Sequence, residues 1–377
     1  EDPVGLDRQH VPMHIKDGIG MVQLSIRRQF PAFTVPPRQE ASITKDAGPG
    51  ESEYTEYDRR IADIACRWLA EPDRRAASWV LFVSFVTPHY PLIAPEEFFR
   101  LYPVDEIPEA KFAAGSGFRP HPWFSHYFAP DPNGATGGHQ QRVAIAAYLG
   151  LCSFMDAQVG KVLGALAASG QTANTRVLYT SDHGDNVGAR GLWGKSNHYE
   201  EAGGVPFIIA GPDISANRVC RTPVTLADAH ATILHSAGLP FRSPDSHSES
   251  LIDIAAAPDN EERIAFSEYH AAGAPSASYM LRQGRYKYIY YVGYEAELFD
   301  LEADPEEGTN LAGDPGHGET VRAFEKKLRA ILDPEVVDRR ANEAQRLLVE
   351  SRGGPDKVMA NLVTRKSYTP VPPGLIA

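Results

Sequence analysis

The stretch that most constrains the fold is residues 175–212, near the middle of the chain. Residues 177–180 (VLYT) are rich in β-branched and aromatic side chains, which predicts a buried strand. Residues 205–210 (VPFIIA) predict a second buried strand, which ends at Gly211 and Pro212. A polar loop punctuated by glycines connects the two. The pattern predicts an α/β protein in which two strands flank a chemically rich loop.

This loop carries side chains suited to binding metals and anions. Asp182 and His183 come directly after the first strand, and Lys195 and His198 follow further along the loop. In open α/β sheets, ligands bind at the carboxyl ends of the strands. Carboxylate oxygens and imidazole nitrogens are metal ligands, and a lysine ammonium is a point charge for an anion. We therefore expect a polar binding site at this edge of the sheet.

A second apolar strand with a histidine at its end is predicted earlier in the chain. Residues 79–86 (WVLFVSFV) form a continuous apolar run, typical of a strand buried on both faces of a parallel sheet. The helical pattern of residues 54–70 precedes it, which completes an αβ alternation. His89 follows the strand within TPHYP, and an imidazole can transfer protons near neutral pH. A histidine that only packs is the alternative interpretation.

Together these motifs resemble the sulfatase branch of the alkaline-phosphatase-like superfamily, which also contains phosphonate and phosphate ester hydrolases. The resemblance rests on SDHGD at residues 181–185, GLWGK at 191–195 and LFDLEADPEEGTNLA at 298–312. It covers residues 54–311. It implies an α/β/α sandwich with a mixed, mostly parallel sheet, followed by a small C-terminal antiparallel sheet.

The resemblance also implies roles for individual residues. Asp182 and His183 would be metal ligands, Lys195 would clamp the sulfate group, and His89 would protonate the leaving-group oxygen. His198 could touch the anion, and a structural role is its alternative. One divalent cation is implied, with calcium preferred and manganese or magnesium as alternatives, because the imidazole makes the ligand set partly nitrogenous.

The nucleophile segment of that family has no match in this sequence. The family uses a cysteine in Cys-x-Pro-x-Arg, converted to formylglycine, whereas Cys66, Cys152 and Cys220 stand in other contexts. The family's paired N-terminal aspartates are not found either. One hypothesis is a hydrolase of small-molecule sulfate esters whose N-terminal part is removed, lies on another chain or is absent from this sequence. The alternatives are a phosphonate or phosphate ester hydrolase and a non-catalytic binding protein.

Composition narrows the classes of partner. The net charge of −12, from 37 basic and 49 acidic residues, argues against non-specific nucleic-acid binding. The longest apolar run, residues 79–86, is far shorter than the roughly 20 residues of a membrane span. Three cysteines without CxxC spacing favour neither a disulfide framework nor a zinc site. No signal peptide pattern follows Glu1, and the compartment stays open.

The chain is predicted to divide at a polar joint. We expect a sulfatase-like α/β domain over residues 1–255 and an antiparallel-sheet subdomain with a helix and tail over 256–377. Further helices are predicted at 140–169, 223–239, 321–332 and 334–350, and strands at 264–269 and on either side of Gln283 and Gly284. The tail from residue 351 could contact a neighbouring subunit of a homo-oligomer.

Two irregular segments are open to more than one interpretation. Residues 92–138 could form a substrate-selecting rim or a packed Ω-loop, with four aromatic candidates, His121, Trp123, His126 and Tyr127. Residues 1–53 are broken by prolines and glycines. Their His10, His14 and Asp17 could be ligands, although a solvated surface segment is the simpler interpretation.

Overall fold

The computed structural model describes residues 43–72, 76, 78–113, 116–125, 138–241, 247–270 and 274–357. The candidates His10, His14, Asp17, His126 and Tyr127, and the tail from residue 358, lie outside the described residues. The strands are β1 Gly48–Pro49, β2 Ile93–Ala94, β3 Val177–Thr180, β4 Phe207–Ala210, β5 Ala265–Tyr269, β6 Ser278–Gln283, β7 Tyr286–Tyr291 and β8 Glu297–Asp300. The α-helices are α1 Glu53–Ala70, α2 Glu96–Phe99, α3 Pro122–Ser125, α4 His139–Ala168, α5 Glu200–Gly203, α6 Ala227–Ser236, α7 Leu251–Ala256, α8 Gly318–Ile331 and α9 Pro334–Ser351.

The first part of the chain holds two short two-stranded sheets. β1 pairs with β2 in parallel, and β3 pairs with β4 antiparallel, with Val177 opposite Ala210 and Thr180 opposite Phe207. Both strands that were predicted around the polar loop are therefore present and are direct neighbours. The prediction that they are buried is wrong, because β3 is half-buried throughout and Ile208 of β4 is 58% exposed. We expected a mostly parallel central sheet; in the described part of the chain, its pieces are one parallel and one antiparallel pair.

The strand predicted at residues 79–86 is not formed. These residues carry no strand assignment, and the side chains of the segment alternate in exposure. Val80 is 67% exposed and Phe82 is 83% exposed, so the segment is not buried on both faces. Among the described residues no strand pairs with it, and a strand without a neighbour has no hydrogen-bond ladder to define it.

Two helices pack together beside the short sheets. α1 begins with a capping box, in which Ser52 Oγ accepts from Thr55 N at 3.2 Å and Thr55 Oγ1 accepts from Ser52 N at 3.0 Å. α4 packs against α1, β1, β2 and α2. By length and composition alone, α4 is the one helix in the described ranges that could span a membrane. Its buried Ala147, Leu151 and Phe154 contact the protein core instead.

The C-terminal sheet confirms the hairpin prediction. β5, β6, β7 and β8 form a four-stranded antiparallel sheet in sequence order. Gln283 is opposite Tyr286, and Gly284 takes a φ of 51° in the two-residue turn between them, where a side chain would be strained. One face of this sheet packs against α8 through Tyr288, Leu298 and Phe324.

The two predicted domains share a core. Trp123, Leu192 and Tyr199 pack in one buried cluster with Tyr291 and Phe299 of the C-terminal sheet. The loop that follows β3 therefore packs against the C-terminal sheet. The boundary between residues 255 and 256 stays a prediction.

Candidate functional site

The turn after β3 presents a carboxylate to solvent. Asp182 is 83% exposed at its side chain. Ser181 Oγ donates to the His183 carbonyl at 2.8 Å, and His183 N donates to Asp182 Oδ1 at 2.9 Å. These bonds within the turn orient the carboxylate outward without covering it. We call residues 181–204, from this turn to the end of α5, the site loop.

Asp182 and His183 face each other in a way that suits one shared cation. Asp182 Oδ2 lies 3.4 Å from His183 Nε2. His183 Nδ1 lies 2.8 Å from the Gly184 carbonyl oxygen, which only accepts, so in the neutral ring Nδ1 carries the proton and Nε2 keeps its lone pair. Metal-binding histidines characteristically donate their other ring N–H to such an acceptor. The two side chains therefore fit a divalent cation as adjacent ligands.

This pair alone does not make a complete coordination sphere. A hard divalent cation takes about six or more donors in most protein sites. Within the residues that the structure describes, no group of three or more His, Cys, Asp or Glu side chains could hold a metal. Further ligands would have to come from elsewhere or from water.

Gly184, the residue after this pair, allows the start of the site loop to pack closely against α5 at the end of the loop. Gly184 N donates to the Ala202 carbonyl at 2.9 Å. A Cβ at position 184 would lie 2.1 Å from the Glu201 carbonyl oxygen, so no other residue fits here without a backbone shift. The sequence requirement at Gly184 is therefore a close approach of two backbone segments.

Asp185 and Asn186 hold the backbone N–H and the backbone carbonyl of Gly194. Asp185 Oδ1 accepts from Gly194 N at 3.0 Å and from Val187 N at 2.9 Å. Asn186 donates to the Gly194 carbonyl through its N at 2.7 Å and through Nδ2 at 2.6 Å. Burial raises the pKa of Asp185, against the lowering effect of these hydrogen bonds and of the nearby Lys195 and His183 charges. Lys195 and His183 thus both lie near the same half-buried carboxylate.

Lys195 and His89 come together from distant parts of the chain. Lys195 Nζ lies 2.8 Å from His89 Nε2. His89 Nδ1 lies 2.7 Å from the Tyr90 carbonyl oxygen, so Nδ1 is the donor and Nε2 accepts from the lysine ammonium. The Tyr90 ring lies against the imidazole at a centroid distance of 4.3 Å and is tilted by 30°, and the Tyr54 ring meets it edge-on at 6.0 Å. Lys195 and His89 are both half-buried.

A buried aspartate of α1 holds the segment that leads to His89. Asp58 is 0% exposed. Its Oδ1 accepts from Val86 N at 2.9 Å, and its Oδ2 accepts from Thr87 N at 2.9 Å and from Thr87 Oγ1 at 2.6 Å. Burial raises the pKa of Asp58 to about 6, although these hydrogen bonds lower it. The backbone just before His89 is thereby fixed to α1.

His198 lies in the protein interior, against the C-terminal sheet. It is 4% exposed, and its Nε2 lies 3.1 Å from Ser278 Oγ of β6. Burial, and then the Lys287 charge, lower the pKa of His198 to about 4. These contacts are those of a structural residue, which is one of the two roles considered from the sequence.

Two of the rim candidates are buried as well. Trp123 is 0% exposed, and His121 is 7% exposed and stacks on Tyr291 at a centroid distance of 4.3 Å. His121 Nδ1 accepts from Trp123 N at 3.2 Å, and its Nε2 lies 3.0 Å from the Glu295 carbonyl. Burial lowers the pKa of His121. For these two residues the packed-loop interpretation is the correct one.

The cysteines are not part of the site. Cys66, Cys152 and Cys220 are free thiols of intermediate burial. Burial raises the pKa of Cys152 to about 11 and also raises that of Cys66. A thiol with a raised pKa is a poor nucleophile at neutral pH.

Sequence reasoning missed the carboxylates that support the site. Asp58, Glu297 and Glu307 lie in the interior, and Asp185 is half-buried. A signal was available for Asp58, because it stands on the buried side of α1 in line with Tyr54, Ala62 and Ala65. A charged residue on the apolar side of a helix indicates a buried partner.

Two family models match the chain. The model described as Sulfatase matches residues 24–239, a range that includes His89, Asp182 and Lys195. This chain belongs to the sulfatase family. A second model, described as N-sulphoglucosamine sulphohydrolase, C-terminal, matches residues 188–333. That range runs from the site loop through the C-terminal sheet of this sulfatase-family chain.

Curated relatives extend the comparison. The choline-sulfatase of Rhizobium meliloti (strain 1021) is 32% identical over 313 residues, which cover 79% of this chain and 61% of that protein. Arylsulfatase K of Bos taurus is 29% identical over 322 residues, covering 78% of this chain and 59% of that protein. The chain thus spans about three fifths of the length of these relatives.

A solved structure supports the fold class. The phosphonate monoester hydrolase of Agrobacterium radiobacter superposes with a TM-score of 0.62 at 25% identity, covering 86% of this chain and 70% of that one. The chain therefore has the α/β fold of the alkaline-phosphatase-like sulfatases and phosphonate hydrolases, as its motifs predicted.

Proposed function

We propose that this chain carries the anion-binding and metal-binding part of a sulfuric ester hydrolase that acts on small-molecule sulfate esters. The observation that carries the proposal is the contact between Lys195 Nζ and His89 Nε2 at 2.8 Å. It joins an ammonium group to a proton-transfer group, and cleavage of an anionic ester requires both kinds of group.

Lys195 would neutralise the sulfate group. A lysine ammonium is a compact charge on a flexible stem, so it can leave His89 Nε2 and contact an anion without a backbone movement. Asp185 holds the backbone next to it, so the stem starts from a defined position. Asp182 and His183 would hold the divalent cation, calcium by preference and manganese or magnesium as alternatives, which supplies further positive charge to the ester oxygens.

His89 would protonate the leaving oxygen through Nε2. The Tyr90 carbonyl keeps a proton on Nδ1, so the imidazolium loses its proton from Nε2 and the leaving alkoxide becomes an alcohol. The neutral ring that results has the same tautomer as the ring in the structure. His198 takes no part in this step in our proposal, because it is 4% exposed and bonded to Ser278.

The nucleophile would come from the family's nucleophile segment, which has no counterpart among the residues of this sequence. The chain spans 61% of the length of the choline-sulfatase. We propose that the formylglycine of the family, together with the remaining metal ligands, belongs to the rest of that length. The site described here would then act on the sulfate and leaving-group side of the reaction.

Phosphonate or phosphate monoester hydrolysis is the second candidate. The likeness to the phosphonate monoester hydrolase of Agrobacterium radiobacter favours it. A lysine and a divalent cation serve any tetrahedral anion, so the residues on this chain suit both ester classes.

The test compares turnover and anion binding in the protein as its source produces it. We expect hydrolysis of an aryl sulfate in the presence of a divalent cation, faster than hydrolysis of an aryl phosphonate monoester. Lys195→Met should weaken the binding of inorganic sulfate by tenfold or more, on the order of a charge-assisted hydrogen bond. Lys326→Met changes an exposed lysine of α8 and is the matched control.

The outcomes separate the candidates. Faster phosphonate turnover would select the second candidate. Sulfate binding without turnover of either ester would indicate a non-catalytic relative. Equal sulfate affinity in Lys195→Met and Lys326→Met would exclude Lys195 as the anion clamp.

A further inference from the structure

His89 and Lys195 meet although 106 positions separate them in the sequence. Each follows a backbone segment that an aspartate side chain holds by hydrogen bonds. We propose that Asp58 and Asp185 are positioning residues, which set His89 and Lys195 at the distance at which they share a hydrogen bond. The inference rests on the proposed function for its meaning, but its geometry can be tested without turnover.

Asp58 acts on the His89 side. Its two carboxylate oxygens accept the backbone N–H groups of Val86 and Thr87, each at 2.9 Å, and the Thr87 hydroxyl at 2.6 Å. The carboxylate belongs to α1, which packs along α4, so its own position is rigid. His89 follows Thr87 by two residues, and its N–H donates to the Val86 carbonyl at 3.0 Å.

Asp185 acts on the Lys195 side. Its Oδ1 accepts from Gly194 N, the residue directly before Lys195, at 3.0 Å. The same Oδ1 accepts from Val187 N at 2.9 Å, which keeps Asp185 within its own turn. Asn186 holds the carbonyl of that same Gly194 with two further bonds. The residue directly before Lys195 is therefore bonded at both its backbone N–H and its backbone carbonyl.

The number of acceptor atoms predicts how each aspartate tolerates asparagine. Both bonds to Asp185 use one oxygen, so the single carbonyl oxygen of asparagine can accept both. The bonds to Asp58 use both oxygens, so asparagine places an NH₂ group against at least one N–H donor. Asp185→Asn should therefore keep the geometry, and Asp58→Asn should lose it.

The experiment reads the contact directly from the imidazole of His89. The side-chain ¹⁵N signals of a histidine report which nitrogen is protonated and which accepts a hydrogen bond. Lys195→Met, recorded in the full chain at a pH where His89 is neutral, gives the signal expected without the lysine contact. Asp58→Ala, Asp185→Ala and the two asparagine variants are compared with it, and inorganic sulfate affinity and the free energy of unfolding are measured for each.

The expected result is a selective change. Asp58→Ala, Asp185→Ala and Asp58→Asn move the His89 Nε2 signal toward that of Lys195→Met and weaken sulfate binding about tenfold, the size of one or two lost hydrogen bonds. Asp185→Asn keeps the wild-type signal and affinity. Should an alanine variant not fold, the two asparagine variants still decide, because they are expected to differ from each other.

Other results overturn the inference. A wild-type His89 signal in folded Asp185→Ala or Asp58→Asn, accompanied only by a lower free energy of unfolding, would mean that the aspartates are structural and do not position the pair. If the wild-type protein does not bind sulfate but the His89 signals change as expected, the result contradicts the proposed function and leaves the positioning role of the aspartates intact.

Discussion

Charged groups occur in two regions of this molecule, and the structure treats them in opposite ways. At the site edge, the Asp182 side chain is 83% exposed. Where the site loop rests on the C-terminal sheet, the side chain of Lys287 is 1% exposed and lies between Glu200 and Glu307. The carboxylate that would bind a ligand stays accessible, whereas the lysine that holds the loop is buried between two carboxylates.

The second region is an ionic joint, which we define as Arg190, Glu200, Glu201, Lys287 and Glu307. Arg190, Lys287 and Glu307 are buried, and the Glu200 side chain is 45% exposed. Lys287 Nζ lies 2.7 Å from Glu200 Oε1 and 2.8 Å from Glu307 Oε1. Arg190 Nη1 lies 2.7 Å from Glu201 Oε2. Glu307 Oε2 also accepts from Glu200 N at 2.7 Å, at the start of α5. The joint fastens the end of the site loop to the C-terminal sheet.

A buried carboxyl group lies beside the joint. Glu297 accepts from the Tyr291 hydroxyl at 2.8 Å and from the Tyr199 hydroxyl at 3.0 Å. Burial raises the pKa of Glu297 to about 7, even though both tyrosine hydrogen bonds lower it. The group therefore changes its charge near neutral pH inside the core.

Breaking the joint should produce the largest effect on stability. In Lys287→Met the carboxylates of Glu200 and Glu307 lose their shared cation, and Glu307 is fully buried. Loss of one partner from a buried ion pair typically costs about 3–5 kcal/mol. Urea unfolding monitored by circular dichroism measures the cost. Arg346→Met, which breaks the exposed pairs of α9, is the control and should destabilise the protein far less, because water screens exposed ion pairs. Equal costs would contradict the distinction between the two regions.

The pH dependence of stability should identify Glu297. A carboxyl group whose pKa is raised in the folded protein stabilises it at low pH, and that contribution falls as the pH rises from about 4.5 to about 7. Glu297→Gln cannot ionise and removes this dependence. The stability of the variant relative to wild type should therefore rise by about 3 kcal/mol between pH 4.5 and pH 7.5, since each unit corresponds to about 1.4 kcal/mol. Denaturant unfolding at several pH values tests this, and a constant difference between the two proteins would exclude the raised pKa.

A substitution at Gly184, where the start of the site loop packs against α5, should have an intermediate effect on stability. Gly184→Ala places a Cβ 2.1 Å from the Glu201 carbonyl and forces the site loop away from α5. Such overpacking typically costs about 1–3 kcal/mol. Gly160→Ala lies in α4 with no atom within 4 Å of the new Cβ and should stabilise the helix by up to about 1 kcal/mol. If both variants melted at the same temperature, the result would contradict the close approach of the Gly184 and Glu201 backbones.

The smallest effect on stability is expected at the exposed edge. Asp182→Ala removes an outward carboxylate and should change the free energy of unfolding by no more than about 0.5 kcal/mol. The same variant should lose bound divalent cation, measured by elemental analysis after dialysis. Wild-type metal content in Asp182→Ala would contradict the assignment of Asp182 as a ligand.

Elements that form their own hydrogen bonds could be predicted from periodicity. The helix predicted at 140–169 is His139–Ala168, and the hairpin around Gln283 and Gly284 lies where its turn residues indicated. Residues 79–86 could not be predicted correctly, because a strand exists only with a neighbour, and an apolar run does not say whether one is present.

The site was only partly accessible from sequence, for a related reason. Asp182 and His183 are adjacent in the chain, so their pairing was visible as a motif. The partners of Asp58 lie 28 and 29 residues away, and those of Lys287 lie 87 and 20 residues away in opposite directions along the chain. Contacts of this kind depend on the tertiary fold, and a single sequence carries no periodic trace of them.

The most direct test of the proposed site is a crystal structure of the protein grown with selenate and Mn²⁺, both located by their anomalous scattering. Selenate stands in for the sulfate group of an ester. We predict selenate in contact with Lys195 Nζ and His89 Nε2, and Mn²⁺ bound by Asp182 and His183. Selenate or Mn²⁺ bound only at other residues would contradict the assignment of this edge as a sulfatase site.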